Sequence, residues 1–227
     1  MKPSAVLSVL VFAAGLSAQE KPTTLPANYA VQFENAWVKV TSVRYGPLEK
    51  VAPHAHTPNP SAYVYLNDGP PVKFRHIGGK GVVATRPATK AGAFRVYRGL
   101  EEIHEVENTG ETPSEFLRVE LKTHGINPDR FWGKFERPPA ASTDPVVQFD
   151  HPQAKISRVW ARPGEKVNIA ASSEPALVIA LSVGAGFTAG EARWVPASSE
   201  TTVQNTSAEA IDFLRFDFRT APVGTAR

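Results

Sequence analysis

Apolar and polar residues alternate with a period of two through much of the chain. VKVTSVRY (38–45), AYVYLN (62–67) and FLRVELK (116–122) show it in the first half, and AKISRVWA (154–161), ALVIALS (176–182) and FLRFDFR (213–219) in the second. Successive side chains of a strand point to opposite faces, so this period predicts half-buried β-strands. Turn residues separate the runs at Asn67-Asp68-Gly69, Gly78-Gly79-Lys80-Gly81, Asn108-Thr109-Gly110 and Arg162-Pro163-Gly164. No stretch carries a helical stripe, and only Asn127-Pro128-Asp129 is expected to open a short helical turn. Twenty prolines and sixteen glycines suit many short strands joined by turns, and the expected fold class is all-β.

The chain also repeats itself. Residues 31–51, VQFENAWVKVTSVRYGPLEKV, align without a gap on 147–167, VQFDHPQAKISRVWARPGEKV. Val31/Val147, Gln32/Gln148, Phe33/Phe149, Pro47/Pro163, Glu49/Glu165, Lys50/Lys166 and Val51/Val167 are identical. Residues 105–122, EVENTGETPSEFLRVELK, parallel 202–219, TVQNTSAEAIDFLRFDFR, where Asn108 meets Asn205 and Phe116-Leu117-Arg118 meets Phe213-Leu214-Arg215. Two matches in the same order and at nearly the same separation mark an internal duplication. The expected organisation is a first β unit over 28–122, a connector over 123–145 and a second unit over 146–220. Residues kept in both copies, such as Asn108/Asn205, Glu49/Glu165 and Arg118/Arg215, are expected to serve turns and packing.

Composition narrows the chemistry. The opening MKPSAVLSVLVFAAGLSAQE joins Lys2, an apolar run from Ala5 to Leu16 and a small-residue exit, the pattern of a secretory signal peptide cleaved after Ala18. The run is short of the ~20 residues a spanning helix needs. The expectation is an exported protein, periplasmic or extracellular, with no membrane association once residues 1–18 are gone. The chain has no cysteine, which excludes thiol nucleophiles, thiolate zinc sites and iron-sulfur ligation. Any bound metal would rest on nitrogen and oxygen. The net charge of +3 is spread over interspersed acids and bases with no basic stripe, so no nucleic-acid partner is expected. GxSxG, GxxxxGK[ST], HExxH and GxGxxG are all absent.

Histidines carry what chemistry remains. His54 and His56, in PHAHTPNPSAYVYLNDG (53–69), stand at i and i+2. A strand presents such a pair on one face, about 7 Å apart along the chain. Both rings can then converge on one ion with bonds of about 2.0–2.1 Å. A third ligand must come from another strand, and His104, inside GAFRVYRGLEEIHEVENTG (92–110), is the candidate. Gly46, His54, His56 and Gly69, followed by Gly92, His104 and Asn108, resemble the two short motifs of the cupin superfamily. The resemblance spans both repeats and implies two tandem cupin-type jelly-roll β-barrels (double-stranded β-helices) arising from the duplication, a bicupin. It also implies a divalent transition metal, Fe, Mn, Ni, Cu or Zn, at His54, His56 and His104, and a metal-dependent small-molecule enzyme, dioxygenase-like or isomerase-like. The alternative is a non-catalytic cupin that acts as a small-ligand-binding or structural module. Jelly-roll sheets often pair, so a homodimer is compatible with this organisation, although the duplication already supplies an internal pseudo-dimer.

The pattern departs from the family in one place. The glutamate expected after the second histidine falls at or near Ala62, with Asn59 and Ser61 the nearest polar residues. Three neutral imidazoles would leave the charge of a divalent ion uncompensated, favouring an anionic oxygen ligand such as a carboxylate, enolate or hydroxide. The second copy offers Ala170, Ser172 and Thr201 at the three histidine positions, so the proposed ligands are absent there together. Glu102 is read as a solvated carboxylate beside Glu101 and Glu105, with a role as fourth ligand or base the lesser alternative. Tyr63 and Tyr65 are read as core aromatics, and His76, His124 and His151 as surface residues. No catalytic residue is assigned.

Overall fold

The computed structural model describes residues 25–78, 81–139, 144–169 and 171–224. The expected signal peptide and Ala170 lie outside the described residues. In the first copy the strands are β1 (Tyr29–Glu34), β2 (Val38–Tyr45), β3 (Lys50–His56), β4 (Ser61–Tyr65), β5 (Val72–His76), β6 (Val83–Arg86), β7 (Phe94–Tyr97), β8 (Glu102–Asn108) and β9 (Ser114–Leu121). The connector holds a 3-10 helix (Pro128–Arg130) and β10 (Gly133–Phe135). The second copy has β11 (Val146–Asp150), β12 (Ala154–Ala161), β13 (Lys166–Ile169), β14 (Ala176–Ala180), β15 (Ala192–Val195), β16 (Thr201–Gln204) and β17 (Ile211–Phe218).

Two antiparallel sheets face each other in the first barrel, ordered β1-β2-β9-β4-β7-β10 and β3-β8-β5-β6. The second barrel repeats the plan as β11-β12-β17-β14-β15 and β13-β16. Even an irregularity is duplicated. The pairing of β1 with β2 slips between Val31 and Phe33, and that of β11 with β12 slips between Val147 and Phe149, so Gln32 and Gln148 sit at equivalent bulges. β10 pairs with β7, which makes part of the connector an edge strand of the first barrel.

Alternation along β9 explains where the core lies. Leu117, Val119 and Leu121 face outward from the first barrel, and Leu214, Phe216 and Phe218 of β17 do so from the second. These outward faces pack on each other in one apolar cluster with Val38, Val40, Ile156 and Leu177. The largest core is therefore between the barrels, and neither long sheet presents a solvated outer face there. On the opposite faces the barrels differ. The second is filled with Ala161, Ile169, Val178, Ala180, Val203 and Phe213. The first is only half filled, around Tyr29, Val43, Tyr45, Val51, Tyr65 and Phe116, and the rest of its interior is a cavity of about 330 Å³.

Two residue pairs kept by the duplication close turns. Asn108 Nδ2 donates to Gly46 O (2.6 Å) and Thr112 O (2.9 Å), and Asn205 Nδ2 donates to Ala161 O and Glu209 O (both 2.8 Å). Glu49 accepts from Gly46 N, and Glu165 accepts from Arg162 N. Arg118 and Arg215 also share a pairing, each with the acid two residues on, Glu120 and Asp217.

Candidate metal centre

A bulge in β3 aims the histidines. Val51 pairs with Val106 and His54 with His104, three residues along β3 against two along β8. The extra residue falls at Ala52-Pro53, where proline could not have donated a ladder hydrogen bond in any case. Without it, Val51, Pro53 and Ala55 would share the inner face. With it, Val51, His54 and His56 do. The bulge also brings Ala52 O within 2.8 Å of His54 Nδ1. A carbonyl only accepts, so Nδ1 carries the proton and the lone pair is on Nε2.

The three rings meet. Centroid separations are 4.8 Å for His54 and His56, 4.9 Å for His54 and His104, and 4.9 Å for His56 and His104. One nitrogen from each lies within 4.8 Å of the others. His54 is fully buried and His104 nearly so, yet neither ring nitrogen of His104 has a hydrogen-bond partner. Buried polar atoms are almost always satisfied. An imidazole left so, beside two others, matches the donor set of a nitrogen-ligated transition ion. The neighbours of the other two rings are polar as well. His54 Nε2 accepts from the Tyr29 hydroxyl at 2.8 Å, Tyr29 is 2.6 Å from the Tyr45 hydroxyl, and the Arg118 guanidinium donates to His56 Nδ1.

Burial sets the protonation of these groups. It drives His54 down to about 4, against the lesser upward pull of the Ala52 carbonyl. Burial, with the charge of Arg118 second, holds His56 far below the imidazole range. Burial also pushes the Tyr29 phenol up, so it stays protonated and able to donate. In the unfolded chain imidazoles titrate near about 6.5. The unfolded state therefore takes up protons first as pH falls, and the stability of the metal-free protein is full above about 6.5 and lost towards 4, by about 1.4 kcal/mol per pH unit for each ring. The urea midpoint of chelator-treated protein is expected to drop between about pH 6.5 and 5. His54→Gln should make that drop shallower, and a midpoint flat across the window would contradict the assignment.

Several residues lie elsewhere than the sequence suggests. Glu102 does not face solvent: its carboxylate lies 3.3 Å from His76 Nδ1 and 3.5 Å from His104 Nδ1. Burial pushes this carboxyl up, but the attraction of His104, His76 and Arg118 outweighs it and leaves it below its ordinary value. His76 is half-buried in the cavity wall, paired across the ladder with His104, and not a surface residue. His76, Glu102 and His104 form a second cluster of ligand atoms within 4.8 Å of one another. His151 is buried in the core between the barrels, stacked on Phe149 with its Nδ1 accepting from Gln153 N. His124 is half-buried, its backbone N–H donating to Ala221 O. Tyr65 is a core aromatic as expected, but it and Tyr63 also line the cavity. Ala62, where the family's glutamate was sought, faces the core between the barrels, and the inward positions around it are Ser61 and Tyr63. In the second barrel Ile169, not the undescribed Ala170, lies across the ladder from Thr201, because that strand lacks the bulge.

Arg118 is the main omission. It lies across the ladder from Tyr63, which in turn lies across from Arg95, so one cross-strand row of Arg118, Tyr63 and Arg95 faces the histidines from the opposite sheet. The corresponding row of the second barrel is Arg215, Val178 and Arg193. There Arg215 pairs with Asp217 at 2.7 Å, and Val178 is part of the apolar filling. Both copies pair this arginine with the acid two residues on, Arg118 with Glu120 and Arg215 with Asp217, but only Arg118 also faces a cavity.

No protein-family model matches the sequence, and no curated protein matches it. Solved structures do match its shape. AerE from Microcystis aeruginosa superposes with a TM-score of 0.60 at 12% identity, over 87% of this chain and 96% of that one. A cupin 2 conserved barrel domain protein from Leptotrichia buccalis gives 0.50 at 12% identity, over 86% and 91%. The fold is that of a bicupin. A salicylate 1,2-dioxygenase from Pseudaminobacter salicylatoxidans has the same fold, with a TM-score of 0.55 at 10% identity over 83% of this chain and 75% of that one. At such identities the likeness carries the architecture alone, and the chemistry of this chain rests on its own residues.

Proposed function

We propose that this bicupin is an exported, metal-dependent small-molecule enzyme, with His54, His56 and His104 holding one divalent transition ion in the first barrel. The observation that carries the reading is the convergence of the three rings around a buried His104 whose nitrogens make no hydrogen bond, Glu102 standing 3.5 Å from Nδ1. An ion held there supplies Lewis-acid polarisation of a substrate oxygen and, if redox-active, oxygen chemistry, which suits isomerase-like or dioxygenase-like reactions. Glu102, against Nδ1 of His104, orients that ring and is a carboxylate placed to move a proton within the cavity. The buried phenol of Tyr29 donates a hydrogen bond into the site. Phe74, in edge contact with His104, keeps water from that side.

A second reading has its own support. Tyr29 already occupies the lone pair of His54, and Arg118 that of His56, as in a polar ligand-binding pocket that needs no ion. Elemental analysis of the dialysed, purified protein separates the two. Near-stoichiometric iron, manganese, nickel, copper or zinc is expected. A metal-free protein whose thermal midpoint ignores added Zn²⁺, Mn²⁺ and Fe²⁺ would leave the binding module. Mass spectrometry of the same preparation should find Gln19 at the N-terminus, and a retained Met1 would remove export from the proposal.

A further inference from the structure

Several cations line the cavity of the first barrel, and two of them, Arg86 and Arg95, lack counter-charges among the described residues. Arg86, Arg95, Arg118, Lys90 and Lys134 line it against two carboxylates, Glu102 and Glu136. Arg118 has Glu120 at 3.4 Å, and Lys90 has Asp68 at 2.7 Å. Arg86 and Arg95 make no ion pair among the described residues. Arg86 is 7% exposed and spends one nitrogen on Ser114 Oγ at 2.7 Å, while its Nε has no acceptor. Nε of Arg95 and Nε of Arg118 are likewise buried without a partner. A buried donor left unpaired costs about 1–3 kcal/mol, and more when it is charged.

These guanidiniums are placed by tyrosines. Arg95 lies 4.3 Å from the centroid of Tyr63, and Arg86 lies 5.2 Å from that of Tyr65. Tyr63 and Tyr65 are i and i+2 on β4, so they face the same way about 7 Å apart and set the two cations side by side. The two arginines repel each other, which adds to the cost that burial imposes on Arg86. The second barrel has Val178 and Ala180 at the tyrosine positions and a filled interior, so the shared scaffold does not require this arrangement.

We propose that the cavity takes a small carboxylate, gripped between Arg86 and Arg95 on the tyrosine wall so that the rest of the molecule lies towards Arg118 and the three histidines. The planar forks offer paired N–H donors to a planar oxyanion, the geometry in which arginine binds carboxylates best. The cavity volume of about 330 Å³ is at the small end of ligand pockets, which run from about 300 to 1,000 Å³. The inference names the substrate class for the site proposed above and rests on reading this cavity as the substrate site.

Titration calorimetry on the full chain after chelator treatment tests it, with benzoate as probe and benzamide as its neutral isostere. Benzoate should bind at least tenfold more tightly than benzamide. Arg95→Met and Arg86→Met should each remove most of that difference and leave benzamide unchanged. Arg95 is half-buried, makes no ion pair among the described residues and would lose only its contact with the Tyr63 ring, so its variant keeps the test open should Arg86→Met fail to fold. Equal binding of the two probes, unchanged benzoate affinity in Arg95→Met, or a preference for phenyl phosphate over benzoate would each overturn the carboxylate clamp. Repeating the titration with added Zn²⁺ separates the two proposals. A chain that holds zinc but does not distinguish benzoate from benzamide defeats the clamp alone. One that distinguishes them but never retains metal upholds the clamp and defeats the metal reading alone.

Discussion

His104→Ala is expected to leave a folded protein that has lost its metal, with affinity down by at least about 100-fold. Changing a residue that only orients a ligand already costs about 10–100-fold, and His104 is proposed as a ligand itself. Folding should survive, because the ring makes no hydrogen bond and the substitution loses only the approach of Glu102 at 3.5 Å, which keeps His76 at 3.3 Å. The variant leaves room behind Phe74 and removes one buried imidazole. His54→Ala should lose the metal too, at greater structural cost, since His54 also binds Ala52 O and the Tyr29 hydroxyl. His124→Ala, in the connector, is the control and should keep a full equivalent. Ion binding to the folded state alone raises stability by about 2.7 kcal/mol at a free concentration of 100 Kd. Adding Zn²⁺ should therefore raise the thermal midpoint of the parent chain and of His124→Ala but not that of His104→Ala. A His104→Ala protein that still carries one equivalent after dialysis would remove the three-histidine centre.

The fold was legible because two independent periodicities agree. Strand alternation at β2, β9, β12 and β17 and the gapless match of 31–51 on 147–167 both describe a duplicated β-sandwich. Alternation also hid something. The runs FLRVELK and FLRFDFR have apolar residues on both parities. The sequence reading treats such strands as half-buried, whereas their Leu/Val/Leu and Leu/Phe/Phe faces are buried against each other between the barrels. Which face meets the partner barrel is a tertiary fact with no local signal.

The candidate centre was only partly legible for a similar reason. His54 and His56 share a face under any strand register, so their pairing needs no structure. Which face is the inner one depends on the bulge at Ala52-Pro53, and Pro53 was its only local sign. Glu102 was missed because charge next to charge in EEIHE reads as solvated surface, and His76 because it lies in a turn-rich stretch without a partner at ligand spacing. The decisive contact, His76 paired across from His104, spans two strands 28 residues apart in sequence. Arg118 was set aside because the second copy keeps it. That rule holds for Asn108 and Glu49, whose partners are backbone groups of their own turns. It fails for a long side chain, whose surroundings depend on what fills the barrel around it.

Arg158→Ala is expected to destabilise the chain by about 3–5 kcal/mol, the usual cost of removing one partner from a buried ion pair. Arg158 is fully buried, donates to Asp212 at 2.7 Å and to Gln148 at 2.9 Å, and reaches across to Gly92 O of the first barrel. Its counterpart by the duplication is Ser42, which with Gly190 O of the second barrel takes the two hydrogen bonds of Gln32. The interface thus has a pseudo-twofold plan in which one copy spans the gap with glutamine alone and the other with glutamine and arginine. Losing Arg158 leaves Asp212, 1% exposed, with only the half-exposed Arg137 at 3.1 Å. Gly92 itself has φ of +78°, a conformation that favours glycine, so the carbonyl that Arg158 grips is presented by a left-handed turn. Its N–H donates to Tyr65 O at 2.8 Å, which ties this clamp to the cavity wall. In urea the parent chain should unfold in one transition, because the largest apolar cluster belongs to both barrels. Arg158→Ala should lower its midpoint and, by loosening the joint, separate the unfolding of the two barrels. Asp212→Asn added to Arg158→Ala should recover part of the loss, since it removes the stranded charge. A loss below about 1 kcal/mol, or no recovery in the double variant, would mean that the pair contributes no more than a surface ion pair does.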